Sequence, residues 1–480
     1  MKSFLTFFLF FTVQAFPDLA QPTQPHRIEI PVRSNMAEGA IFPLPDSSVL
    51  TLIYDPQLKR TATEQFTLYK FDHALELSWQ KNLEIPKGSH FFKGLIEKNT
   101  AYLLFDTPKR SEFVLVRVNL PAQRYVVSKH VLPAGITILP EDLKVLQNVL
   151  FVSGKQNEQL LFLRLDPSEK EFTILPVILS HSAALSDFFT DSVSNTVELL
   201  LAENNFKVSR LQLKRFSRAG ELLSTNFLLS RRDYNFLAGQ LTADSSHKMI
   251  AGTYGQRDLR YAQGFFTTFL QNNPRQPANY YDFTTFSHYF DYLNPKRKNR
   301  LREKVDRFRE THKTYYLRRR MLLHALQPYL DGYLLVGEMY YPHYQHEGNS
   351  HFFDGYEFLQ TIVCAFDKDG NLRWENSFPI RNQRFYDLQE TVTVGVFGNR
   401  VMLTYLDEGT IRYKDFYGSE TTPNDKQVDI LPAEAGAKIT NTSSESIIHW
   451  YKANFLLSGI HSVRGSAGSR QDFYLNKIAF

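Results

Sequence analysis

Two segments decide the fold: Gly332–Tyr341 (GYLLVGEMYY) and Gln360–Phe378 (QTIVCAFDKDGNLRWENSF). Tyr333 to Tyr341 reads as a strand, Gln360 to Asp367 as a second, and Leu372 to Phe378 as a third. Lys368 to Asn371 makes the turn between the last two, because Asp-Gly and Gly-Asn pairs tolerate positive φ. Much of the chain repeats this unit imperfectly. Short apolar runs alternate with clusters of Asp, Asn, Gly, Pro and Lys, the pattern of an all-β protein built from strands and turns.

The strands group in fours. The first group takes Ala40–Phe42, Val49–Ile53, Phe66–Phe71 and Leu77–Ile85. The second spans Phe91 to Val127, the third Leu143 to Leu179, and the fourth centres on Val197–Leu201, Val208–Phe216 and Leu222–Leu229. The fifth has Phe236–Gly239, Met249–Gly252 and Phe265–Leu270, and the sixth is the opening unit. The seventh runs from Val392 to Ile430 and the last from Ile447 to Ile478. A spacing of about 50 residues lies in the range of propeller blades, each a four-stranded sheet. The expected fold is an all-β propeller of eight four-stranded blades, with seven as the alternative. Phe71-Asp72, Leu77 and Trp79 repeat at the same offsets as Phe366-Asp367, Leu372 and Trp374. His26 to Val32 is a spare strand that could complete the last blade and close the ring. An outer-membrane barrel fits poorly, since these strands are short and apolar on both faces rather than alternating.

Forty Phe and 25 Tyr in 480 residues argue for a packed β-rich protein over a disordered one. The net charge of +5 is small, but Lys296 to Arg320 holds 12 Lys/Arg against 3 Asp/Glu. The basic character thus belongs to one segment, and a general nucleic-acid binder is not expected. The single cysteine, Cys364, sits in a strand and reads as a buried, inert thiol. Residues 1–20 have a short basic start, an apolar run from Phe4 to Val13 and small-residue cleavage positions at Ala15 or Ala20. This is the pattern of a secretory signal peptide, so the expected location is periplasmic or extracellular. The run is too short to span a bilayer, and no later stretch is long and apolar enough, so no transmembrane segment is expected after signal removal. The propeller domain would then be 21–480.

The rhythm breaks at 272–320, read as a basic, helical insertion between blades 5 and 6. Pro295 suits the first turn of a helix. Leu301, Val305, Phe308, His312 and Tyr315 fall on one stripe, while Arg302, Arg307 and Arg309 lie on the remaining faces. These three arginines are candidate partner contacts, with Tyr341 and Glu357 on the facing loop.

The densest polar stretch is Tyr341 to Gly355, read as a flexible loop between two strands. Its His343, His346 and His351 are weak candidates for metal ligation, although the spacing is not that of a helical zinc hydrolase. Glu338 interrupts an apolar strand. On an inner strand it would face a central channel, so Glu338 and Asp354 are weak candidates for acid–base catalysis. Asp367 to Asn371 has the wrong order for a calcium loop and reads as a hairpin turn. No phosphate loop, dinucleotide fingerprint or nucleophile elbow occurs, and no cofactor is expected.

Ala365 to Glu375 (AFDKDGNLRWE) resembles the blade motif of quinoprotein-like (PQQ-type) propellers. That resemblance implies that the Trp docks one blade on the next. The wider pattern of Gly337-Glu338, Tyr340 to Pro342, Asp354 to Tyr356 and Phe366 to Trp374 is similar to exported bacterial propeller-like proteins of unassigned function, which implies export and β architecture. The leading expectation is a non-catalytic binding scaffold for a protein or glycan partner in the cell envelope or outside the cell. The alternatives are a glycan-active hydrolase or lyase using the 338–357 residues, and a divergent quinoprotein-like redox protein.

Overall fold

A computed structural model describes residues 21–34, 36–56, 63–179, 183–205, 208–228, 230–243, 247–270, 278–347, 350–421, 425–432, 438–465 and 468–480. Residues 1–20, read from the sequence as a signal peptide, lie outside the described residues. The chain forms eight antiparallel blades in a ring, as the rhythm predicts. In order they occupy 38–86, 90–131, 139–174, 183–228, 235–282, 320–379, 393–429 and 438–479. The outer strand of blade 8 is Thr23–Val32, paired antiparallel with Gly468–Ala479. The spare N-terminal strand therefore closes the ring.

The second strand of each blade explains the apolar runs. Val49–Tyr54 and Thr196–Asn204 are buried along nearly their whole length, because both faces meet a neighbouring blade. Outer strands such as Leu77–Pro86 face solvent and turn polar. The buried apolar residues fall into eight clusters, each at a junction between successive blades. Trp374 packs at the junction of blades 6 and 7, 6.4 Å from the Phe416 ring. Asp367 Oδ1 accepts from the backbone N–H of Asp369 (3.0 Å) and Asn371 (2.8 Å), with Gly370 at φ +78°. The stretch is a hairpin turn, as expected.

Several details differ from the sequence reading. The inner strand of blade 4, Ala183–Asp191, escapes it because its burial is mixed and its apolar run short. Asn279–Asp282, assigned to the insertion, is the outer strand of blade 5, and Asn272 to Pro277 lies outside the described residues. The helix is Pro295–Glu310, N-capped by the Asn294 side chain, which accepts from Arg297 N at 3.0 Å. His312 and Tyr315 lie beyond its end. His312 has φ +52°, and Tyr315 folds back so that its ring meets Phe308 at 5.4 Å. Phe283, Phe286, Tyr289, Phe290 and Val305 form a core between the insertion and blades 5 and 6. The segment read as a flexible loop is a long hairpin: Gly332–Glu347 pairs with Ser350–Asp367, Tyr344 opposite Phe353 and His346 opposite His351. Its aromatic residues give it strand propensity that a count of polar groups hides.

The closing seam carries a charge clasp. Arg27 Nε meets Glu29 Oε1 at 3.0 Å, Arg470 Nη2 meets Glu29 Oε2 at 2.8 Å, and Arg470 Nε meets Asp472 Oδ2 at 2.7 Å. His461 lies buried among them, stacked on Tyr474 at 4.7 Å. Tyr474 in turn donates to Glu445 Oε1 at 2.6 Å. Burial, and then the Arg27 charge, push the His461 pKa down to about 4. A histidine held below its unfolded value stabilises the fold at neutral pH, and that contribution is lost as it is forced to charge. Stability is therefore expected to fall as pH drops from 6.5 toward about 4. His461→Gln should flatten that part of the profile in urea unfolding; an unchanged slope would place the acid sensitivity elsewhere.

Candidate ligand-binding face

In each blade the chain runs down the inner strand, up the second, down the third and up the outer. The hairpin joining strands two and three therefore leaves from the same end as the crossover to the next blade. At blades 4 to 6 this end brings together the 230–235 crossover, the 256–263 hairpin and the tail of the insertion, 311–319. Gln263 fastens that tail: its Nε2 donates to Leu317 O (2.9 Å) and its Oε1 accepts from Leu317 N (3.0 Å). Ala262 N adds a bond to Arg319 O at 3.1 Å. The tail is laid across blade 5, with Leu317 buried beneath it.

Three cavities of about 510, 690 and 420 Å³ open along this line, and Tyr316 lines all three. Tyr316 is 43% exposed. Arg231, Arg232, Arg257, Arg260, Arg318, Arg319 and Lys304 contribute seven cations to the walls, against Asp233 and Asp258. The groove thus holds an excess positive charge equal to that of the whole chain. Asp258 is already paired: Arg260 donates to it through Nε (3.0 Å) and Nη2 (2.7 Å), a bond that holds its carboxyl below the usual range. Arg231, Arg232, Arg257 and Arg318 are exposed. Such a wall attracts anions and offers planar donors for carboxylate or phosphate.

Sequence reasoning placed the basic surface on the helix, and the helix supplies little of this groove. Arg302 turns inward, donating to Phe286 O (3.0 Å) and Ser287 O with its guanidinium over Phe290. It holds the insertion together. Arg307 and Arg309 stay on the exposed side; Arg309 reaches Asp306 at 3.5 Å. The groove residues lie instead in Arg231 to Tyr234 (RRDY) and Arg257 to Tyr261 (RDLRY). Two arginine–aspartate–tyrosine turns at equivalent ends of adjacent blades were the available signal, diluted by their distance in sequence.

Glu338 lies on the second strand of blade 6, not an inner one, and is fully buried. Its Oε1 accepts from His324 Nε2 (2.7 Å), Thr391 N (2.9 Å) and Val392 N (2.8 Å). It therefore anchors the start of blade 7 and does not face a channel. Burial opposes charging of His324, but the Glu338 hydrogen bond and the Glu390 charge raise its pKa overall. Asp354 lies 3.2 Å from His343 Nδ1, accepts from Gln345 Nε2 (2.9 Å) and pairs with Arg384, which also reaches Glu357 at 3.2 Å. Tyr341 hydrogen-bonds Glu357 and lies 5.6 Å below the Arg319 guanidinium. These contacts fix the base of the long hairpin. His346 and His351 pair with each other across it, ring centroids 4.2 Å apart. The proposed acid–base and metal sets therefore do not assemble.

Among the described residues one group has the composition of a metal site, Glu29, His461 and Asp472, with ligand atoms within 4.8 Å. Its hydrogen bonds do not suit a cation. Arg27 Nη2 donates to His461 Nδ1 (2.9 Å), so the proton sits on the Nε2 that faces Glu29 (3.4 Å) and Asp472 (3.9 Å). Two arginines already neutralise the carboxylates, and the group belongs to the seam.

No family model matches the chain, and no curated protein matches it. Among solved structures, it is similar to the polysaccharide lyase Uly1 (9% identity, TM-score 0.42), covering 95% of this chain and 99% of that one. It is also similar to the periplasmic gluconolactonase PpgL of Pseudomonas aeruginosa (11%, 0.40), covering 79% and 99%. A third is the β-propeller domain of the Trilobed protease from Pyrococcus furiosus (7%, 0.36), covering 81% and 93%. At these identities and scores none of them brings an activity to this chain.

Glu338→Ala would leave His324 and two backbone donors unpaired in the interior. It is expected to cost about 3–5 kcal/mol in urea unfolding, with Glu338→Gln less severe. A loss below about 1 kcal/mol would show that the anchor is not needed.

Proposed function

We propose that this is an exported, non-catalytic binding protein whose ligand site is the arginine–tyrosine groove on blades 4 to 6, and whose ligand is anionic. The observation that carries the reading is the meeting of three cavities at one exposed tyrosine, between walls with seven cations and two carboxylates. Each cavity is within the about 300–1,000 Å³ usual for ligand sites. The walls are loops whose ends are fixed on rigid sheets, so the backbone that carries the arginines is held before a ligand arrives, which lowers the entropic cost of binding. Arg307 and Arg309 on the helix, and Tyr341 and Glu357 at the hairpin base, do not line these cavities. Export rests on the basic start, apolar run and small residues of positions 1–20.

The export pattern and the groove are separable. For the groove, Arg257→Glu with Arg318→Glu is expected to abolish capture on an immobilised polyuronate column while leaving the melting temperature within a degree or so, since both side chains are exposed. Capture by the parent chain should weaken steeply with added salt. Undiminished capture by the double variant would remove the groove from the account.

A further inference from the structure

The groove offers more than positive charge. Tyr316 presents an open ring where the three cavities meet. Tyr289 and Arg319 line the 420 Å³ cavity beside it, and the Tyr289 hydroxyl and Arg319 Nε are buried without a hydrogen-bond partner. Tyr289 is only 1% exposed. Buried polar atoms of this kind favour a guest that brings hydroxyl or carboxylate groups.

The walls also limit what the guest can be. Several backbone donors of the two turns are already engaged: Tyr234 N with Arg231 O (3.0 Å), Tyr261 N with Asp258 O (3.2 Å) and Ala262 N with Arg319 O (3.1 Å). Arg231 N is taken by the Tyr280 hydroxyl at 2.9 Å. These turns therefore offer little for the main-chain pairing by which sheet edges capture peptides. One open ring does not provide the succession of stacking platforms used for single-stranded nucleic acids. A sugar ring needs only one platform for its apolar C–H face, and its carboxylate suits a guanidinium fork.

Resting on the ligand-binding reading above, we propose that the groove takes a linear uronate-containing polysaccharide. One sugar stacks on Tyr316 and its neighbours extend into the adjoining cavities. Carboxylates pair with Arg257 and Arg318, and hydroxyls reach the unpaired Tyr289 and Arg319 atoms. Because several sugars are held at once, affinity grows with chain length.

Calorimetric titration of the purified chain tests this. The probes are monomer, dimer, tetramer and octamer of galacturonate and of mannuronate, a neutral galactan octamer, and a polyglutamate peptide of matching charge. At least one uronate octamer is expected to bind about tenfold or more tighter than its dimer, the neutral octamer and the peptide, a difference of about 1.4 kcal/mol. Tyr316→Ala, with an unchanged melting temperature, should lose about tenfold on that octamer. Tyr289→Phe, which keeps the ring, should lose part of the octamer affinity. If polyglutamate equals the octamers and Tyr316→Ala changes nothing, while Arg257→Glu still abolishes binding, the glycan assignment is overturned and the anionic groove stands. Binding indifferent to Arg257→Glu, or no binding of any probe, overturns both.

Discussion

The structure depends on the fact that no blade can bury its own faces. A four-stranded sheet with apolar residues on both sides needs a neighbour on each. The eight apolar clusters sit at the eight junctions between blades. An open ring would leave two such faces in water, so the last junction is as necessary as the rest. The chain meets this by returning its N-terminal strand to blade 8. Ile30 pairs with Phe473 and Ile28 with Leu475 in register. Gln24 then ties the strand to blade 7, donating to Asp429 O at 2.7 Å and accepting from Leu431 N at 3.1 Å. Glu29, His461, Asp472 and the two arginines make the seam specific in register, because a one-residue slip would turn these groups to the opposite face.

A closed ring leaves the connections free to vary. The sheets hold the ends of each loop, while the loops carry the chemistry. At blades 5 and 6 this freedom is used most. The insertion builds a small aromatic core over the blade junction, and its tail, clamped by Gln263, places Tyr316 and Arg318 beside the Arg257 to Tyr261 turn. The long hairpin of blade 6 rises next to it, braced at its base by Arg384 between Asp354 and Glu357. Sites of this kind gain their geometry from the scaffold, and their specificity from a few side chains.

The repeat was legible because burial on both faces leaves a mark that sequence can show. Val49–Tyr54 and Val149–Val152 must be largely apolar, and turns such as Asp367 to Asn371 need residues that accept local hydrogen bonds and positive φ. The spare strand at His26 to Val32 was legible from counting. The site was less so. Glu338 looked chemical because it broke an apolar run, yet the break is a buried anchor whose partners, Thr391 and Val392, lie more than 50 residues away. The basic helix was visible as a charge run, but burial of Arg302 depends on carbonyls that the insertion presents only once folded. The groove draws its arginines from three separate connections. Their convergence follows from the rule that crossovers and second-to-third-strand hairpins share one end of a propeller, which becomes usable only when the blades are correctly assigned.

The most direct test of the account is a structure of the protein with a bound uronate octamer. The account predicts sugar density across Tyr316, with carboxylates between Arg257 and Arg318. Density confined to the central channel, or to the hairpin beyond Tyr341, would contradict it.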